Sequence, residues 1–163
     1  MAAGCAGPAR TGATLDTLTK DIGAPKAGHT RVIVIRDKAF PGIFDSGWEV
    51  RLDGAPIGDL KTGTFAYRDG RAGSHQLSFE RPGDLSRASR QDFAAAPGRT
   101  YFFRLDINEK GRTVSAMSSQ AGLVGLFVSS AVSSAVDQRG LFDFTPLDEA
   151  TARQAIAELR LAD

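Results

Sequence analysis

The chain has 163 residues, enough for one domain and hardly for two, and a domain of that size buries a sufficient core without disulfide or metal staples. Its 20 basic and 19 acidic residues leave a net charge of +1, and the arginines are scattered, which argues against a nucleic-acid binder and its basic stripe. One cysteine cannot form an internal disulfide, and two histidines beside it cannot build a zinc site unless carboxylates join them.

The chain opens Met1-Ala2-Ala3-Gly4-Cys5. Small residues ahead of a cysteine look like the end of a bacterial lipoprotein signal, where an extended chain must thread a peptidase cleft before the thiol is acylated. The charged and apolar stretches that precede such a box are missing, a departure from the pattern. The competing reading is a free thiol in a disordered tail. On the first reading Cys5 carries a lipid, and residues 6 to 28 form a tether rich in Ala, Gly, Thr and Pro. Leu15, Leu18 and Ile22 are spaced three and four apart and predict a short helix within it.

From Thr30 the pattern turns to strands. Val32-Ile33-Val34-Ile35 is a β-branched run between Arg31 and Arg36 and suits a strand buried on both faces. Residues 37 to 47 read as a loop. Trp48, Val50 and Leu52 then alternate with Glu49 and Arg51, the mark of a strand with one wet face. Asp53-Gly54 predicts a type I′ hairpin, which needs positive φ at both central residues. Ile57 and Leu60 continue the return strand. After Lys61-Thr62-Gly63 come Phe65 and Tyr67 in alternation, then a turn over residues 69 to 73, then His75, Leu77 and Phe79 sharing one face. Residues 86 to 94 are polar and suit an edge strand. Pro97-Gly98 turns into the clearest strand, in which Tyr101, Phe103, Leu105 and Ile107 alternate with Phe102, Arg104 and Asp106. Thr113 to Ser119 is a candidate to pair back after the turn at Glu109-Lys110-Gly111. About seven or eight strands at near-regular spacing predict a mainly β, antiparallel β-sandwich-like domain over residues 30 to 163.

No charged residue lies between Arg112 and Asp137. Ala121 to Val136 is apolar but carries four serines, too short and too polar for a membrane span. It predicts a small-residue helix or a hairpin packed on the sheet, or a contact surface for a partner or membrane through Leu123, Leu126, Phe127, Ser130 and Ser134. Leu141, Phe142 and Phe144 predict a last buried strand. A C-terminal helix follows, with Thr145 as N-cap and Pro146 at its first position. Its buried stripe is Ala152, Ala155, Ile156 and Leu159, with Glu149 and Arg153 paired four apart.

The segment from Thr30 to Ile107 resembles a bacterial lipoprotein-associated family of unknown function numbered 2846. The likeness rests on the strand ending in Arg36, the hairpin from Val50 through Asp53-Gly54 to Leu60, and Gly63 before an aromatic strand. It continues with Gly73-Ser74-His75 and with Pro97-Gly98-Arg99-Thr100-Tyr101. This chain has Ala72 where the family often has proline. The resemblance implies a small β-sandwich-like domain on a lipid-anchored envelope protein, and it supplies neither catalytic residues nor a substrate.

The search for chemistry is short. His29 sits at the edge of the tether. His75 follows a turn and is expected to bond a turn carbonyl. No Gly-x-Ser-x-Gly elbow, phosphate loop or calcium loop is present. Asp53 with Asp59, and Asp106 with Glu109, are carboxylates at turns, where acids are common. Trp48 is expected to fill the core. The expectation is a non-enzymatic envelope protein without cofactor or metal, on the periplasmic side of the outer membrane. It would be held to the membrane by lipid on Cys5 and act by binding an envelope protein or peptidoglycan. The alternatives are a soluble periplasmic carrier of a small apolar ligand, held between the sheet and Ala121–Val136, and a weak hydrolase using His75.

Overall fold

The computed structural model describes residues 14–38, 47–80, 89–109, 111–112 and 142–162. The apolar rows predicted from the sequence collapse into two facing sheets. Sheet A has five strands in the order β8-β7-β1-β4-β9, and sheet B has four in the order β3-β2-β5-β6. The strands are β1 (His29–Arg36), β2 (Trp48–Leu52), β3 (Ala55–Leu60), β4 (Thr64–Arg71) and β5 (Gly73–Glu80). They continue with β6 (Arg90–Ala95), β7 (Thr100–Ile107), β8 (Phe142–Leu147) and β9 (Arg160–Leu161). Two helices, α1 (Leu15–Ile22) and α2 (Glu149–Ile156), complete the described elements.

The period of two explains which residue goes where. Val32 and Val34 of β1 face sheet B with Trp48, Val50, Leu52, Leu77, Phe79, Phe103 and Leu105. Ile33 and Ile35, one residue out of phase, face the other way onto Leu15, Leu18, Phe65, Phe102, Ala152 and Ile156. The described residues thus form three layers: helices, sheet A and sheet B. Trp48 fills the inner core as expected. It stacks on Phe79 at 5.4 Å, meets Phe142 edge-on at 4.4 Å, and lies under the buried Arg36 guanidinium at 4.2 Å. The Arg36 Nη1 donates to the Leu60 carbonyl at 2.8 Å.

Four expectations change. β1 pairs with β7 in parallel, so the sheets are not purely antiparallel. The part of the expected tether that is described, residues 14–28, packs onto the domain, because Leu15 and Leu18 complete the outer layer. Its end is clasped by Arg31, which makes a two-pronged ion pair with Asp69 at 2.7 and 2.8 Å and donates to the Gly23 carbonyl at 2.6 Å. β4 runs on through Asp69 to Arg71, so the expected five-residue turn shrinks to Ala72. Finally, Thr145 and Pro146 belong to β8, and the N-cap of α2 is Asp148, whose carboxylate accepts from the Thr151 N–H at 2.9 Å. Proline is tolerated there because β8 is an edge strand. Of the expected α2 stripe, Ala152 and Ile156 are buried, Leu159 joins them from just past the helix and Ala155 is half-buried, while the Glu149–Arg153 pair forms as expected.

Candidate functional site

An open cleft of the described fold forms at the turn end of sheet B. Asp53 holds the first central position of the β2–β3 hairpin with φ 52°, and Gly54 follows at 78°. Aspartate tolerates this left-handed conformation better than most residues, because its short polar side chain bonds the local backbone. The Asp53 N–H donates to the Gln76 carbonyl at 2.9 Å, and the Gln76 N–H donates back to Asp53 Oδ1 at 2.9 Å. That double bond extends the β2–β5 pairing one residue beyond Leu52 and Leu77.

The second carboxylate oxygen is then aimed at His75. Its Oδ2 lies 2.7 Å from His75 Nδ1, while His75 Nε2 lies 2.6 Å from the Arg71 carbonyl. The ring is buried, sits 5.5 Å from the Phe93 ring, and packs against Gly70, where an added Cβ would come within 3.3 Å of it. Burial pushes the Asp53 pKa up. The Gln76 N–H, the His75 hydrogen bond and charge, and the Arg68 charge together outweigh it and hold the carboxyl below its ordinary value of 3.8.

An open cleft of about 470 Å³ lies over this node, lined by Asp53, Ser74, His75, Gln76, Asp92 and Phe93. The acid, the imidazole and a hydroxyl are therefore neighbours, more than the sequence led one to expect. Their geometry does not make a nucleophilic set. Strand alternation sends the side chains of Ser74 and His75 to opposite faces of sheet B. Catalysis of that kind also needs a ring nitrogen whose lone pair meets the nucleophile's proton. Both nitrogens of His75 lie against oxygens of the fold instead, the Asp53 carboxylate and the Arg71 carbonyl. The residue ties the β2–β3 turn to the β4–β5 turn, and the expected bond to a turn carbonyl is present. Asp53 was the missed partner. The signal was the pairing of an Asp-Gly turn with a Gly-x-His turn, which becomes legible only once β2 and β5 are known to be neighbours.

Of the other carboxylates, Asp92 accepts from the Gln76 side-chain amide at 2.8 Å, while Asp59 and Asp106 stay apart from this node. Asp59 lies at the far end of the hairpin against Gly47, and Asp106 pairs with Arg104 at 2.9 Å. His29 bonds the Ala27 carbonyl through Nδ1 at 3.1 Å. Among the described residues, no group of three His, Cys, Asp or Glu side chains gathers to hold a metal, and no helix is long and apolar enough to cross a membrane. Cys5, the strand expected over Thr113 to Ser119, and the surface expected at Leu123, Leu126, Phe127, Ser130 and Ser134 lie outside the described residues.

No curated protein matches the chain. The family described as "Protein of unknown function (DUF2846)" matches residues 26–119, a span that begins just before β1 and runs past β7, and so contains the whole cleft. That span is more than half of the chain, and the protein belongs to the DUF2846 family.

Proposed function

We propose that this protein is a non-catalytic binding module of the bacterial envelope, held at the periplasmic side of the outer membrane by a lipid on Cys5. Its role is to bind an envelope partner, a protein or peptidoglycan. The observation that supports the non-catalytic reading is the engagement of His75: both ring nitrogens are already bonded within the fold, one to the Asp53 carboxylate and one to the Arg71 carbonyl. The anchor reading is supported by the small-residue run Ala2-Ala3-Gly4 ahead of the sole cysteine. A single acyl chain holds a protein weakly, whereas two or more hold it stably, so multiple acylation is the form expected here.

The anchor is tested by expressing the gene from its native locus in a bacterium fed a palmitate analogue. Label on the wild type, lost in Cys5→Ser together with the protein's sedimentation with membranes, is the expected result. An unlabelled wild type, or label that persists in Cys5→Ser, overturns it.

A further inference from the structure

Every open sheet has edges, and a long, flat, unprotected edge invites another strand. Among the described residues the two sheets end in β8, β9, β3 and β6. Three of these edges are blunted. β3 carries Pro56, β8 carries Pro146, and β9 has two residues. β6 differs: its six residues, Arg-Gln-Asp-Phe-Ala-Ala, contain no proline and pair with β5 in unbroken register from Arg90 to Ala95.

The backbone direction along β6 follows from one bond. The Phe79 N–H of β5 donates to the Ser89 carbonyl, so Ser89 points toward β5. In an antiparallel pair the direction alternates by residue. Gln91, Phe93 and Ala95 therefore also turn toward β5, and the N–H and C=O groups of Arg90, Asp92 and Ala94 point outward. Among the described residues no strand meets them; the Asp92 carbonyl accepts the Gln91 side-chain amide at 2.9 Å. Ser89 itself is closed off, since its hydroxyl donates to the Phe142 carbonyl of β8. The open edge thus begins at Arg90.

The outward row also carries a charge pattern, with exposed Arg90 and exposed Asp92 two positions apart. Two copies of β6 laid antiparallel about a twofold axis at Gln91 place each Arg90 opposite the partner's Asp92. These are the outward-pointing residues, so each such pair exchanges N–H···O=C bonds in both directions. Centring the axis on Asp92 would set the two aspartates against each other, which is destabilising. The edge is self-complementary in one register and self-repelling in its neighbour. We infer that β6 is a homodimer interface, at which a second copy of this chain extends sheet B across a twofold axis through Gln91. The inference does not depend on a lipid at Cys5.

The test is sedimentation velocity of the full chain over a wide concentration range, in reductant so that Cys5 cannot cross-link. The wild type should pass from monomer to twice the monomer mass. Arg90→Asp and Asp92→Arg each turn both cross-axis pairs into like-charge contacts and should weaken association by about tenfold or more. An equimolar mixture of the two variants restores opposite charges in every pair and should associate like the wild type, as should the swapped double variant R90D/D92R. Both side chains are exposed, and unchanged unfolding midpoints verify that the variants fold. A wild type that stays monomeric throughout overturns the inference, as does a dimer indifferent to either charge reversal, or a mixture that fails to associate.

Discussion

Sheets A and B are built from the same residue types under different constraints. Sheet A is covered twice, by sheet B on one face and by α1 and α2 on the other, and β1 is buried at every position after His29. Among the described residues sheet B is covered once, and β2 alternates buried and half-buried along its length. The number of covered faces sets the pattern of these two strands: a continuous β-branched run in β1, strict alternation in β2. It also sets the terms for charge. In sheet A, Arg31 is 5 % exposed and is accommodated by a two-pronged carboxylate, a carbonyl and the Tyr67 ring. In sheet B, Arg90 and Asp92 stand on the open face, and His75 enters the inner row only where the sheet ends in turns.

The sharpest way to break this contrast is at the shared core. Trp48→Ala should cost about 3–5 kcal/mol, the usual price of emptying a buried aromatic site. Its removal also takes away the ring under Arg36. Urea unfolding should show a lower midpoint with an unchanged slope. The outer layer should matter less. Leu18→Ala is expected to cost about 2 kcal/mol, at the low end for a buried leucine. Amide exchange should then rise in α1 before it rises in β1. Equal costs at Trp48 and Leu18 would erase the distinction between the layers.

Smaller still is the clasp. Arg31→Lys keeps the charge but cannot reproduce two parallel bonds to Asp69 and one to Gly23, and should cost about 1 kcal/mol by thermal unfolding. Smallest is Asp53, whose side chain is 50 % exposed, so its pairing is discounted for solvent screening to under about 1 kcal/mol. Its folded-state carboxyl titrates below the ordinary value. The stabilisation is therefore complete above the carboxylate range and disappears as pH falls through the folded value. Melting curves of wild type and Asp53→Asn should differ near neutrality and converge in acid.

Much of the fold was legible because it was local. The β1 run, the Asp53-Gly54 hairpin, the β7 alternation, the spacing of Leu15, Leu18 and Ile22, and the α2 stripe each declare themselves within about ten residues. What was hidden required knowing neighbours. Nothing in Val32–Ile35 or Tyr101–Ile107 says that these strands run parallel. Leu15 and Leu18 look like ornaments of a tether until Ile33 and Phe102 supply the surface they cover. Thr145-Pro146 is a good helix start, and it lost to an edge strand that does not need the proline's missing N–H. The cleft failed to show for the same reason: Asp53 and His75 are 22 positions apart, and only the β2–β5 register joins them.

The central claim is that His75 holds the structure and performs no reaction. It is tested by measuring, on the same preparations of wild type, His75→Gln and Asp53→Asn/His75→Gln, both urea stability and turnover of chromogenic carboxylic and phosphoric esters. The account predicts that His75→Gln loses about 1–3 kcal/mol, the cost of leaving buried partners unsatisfied, and that the double variant loses less than the sum of its parts. It also predicts that no ester is turned over at a rate that depends on residue 75. A His75→Gln protein of full stability that loses a turnover shown by the wild type would contradict it.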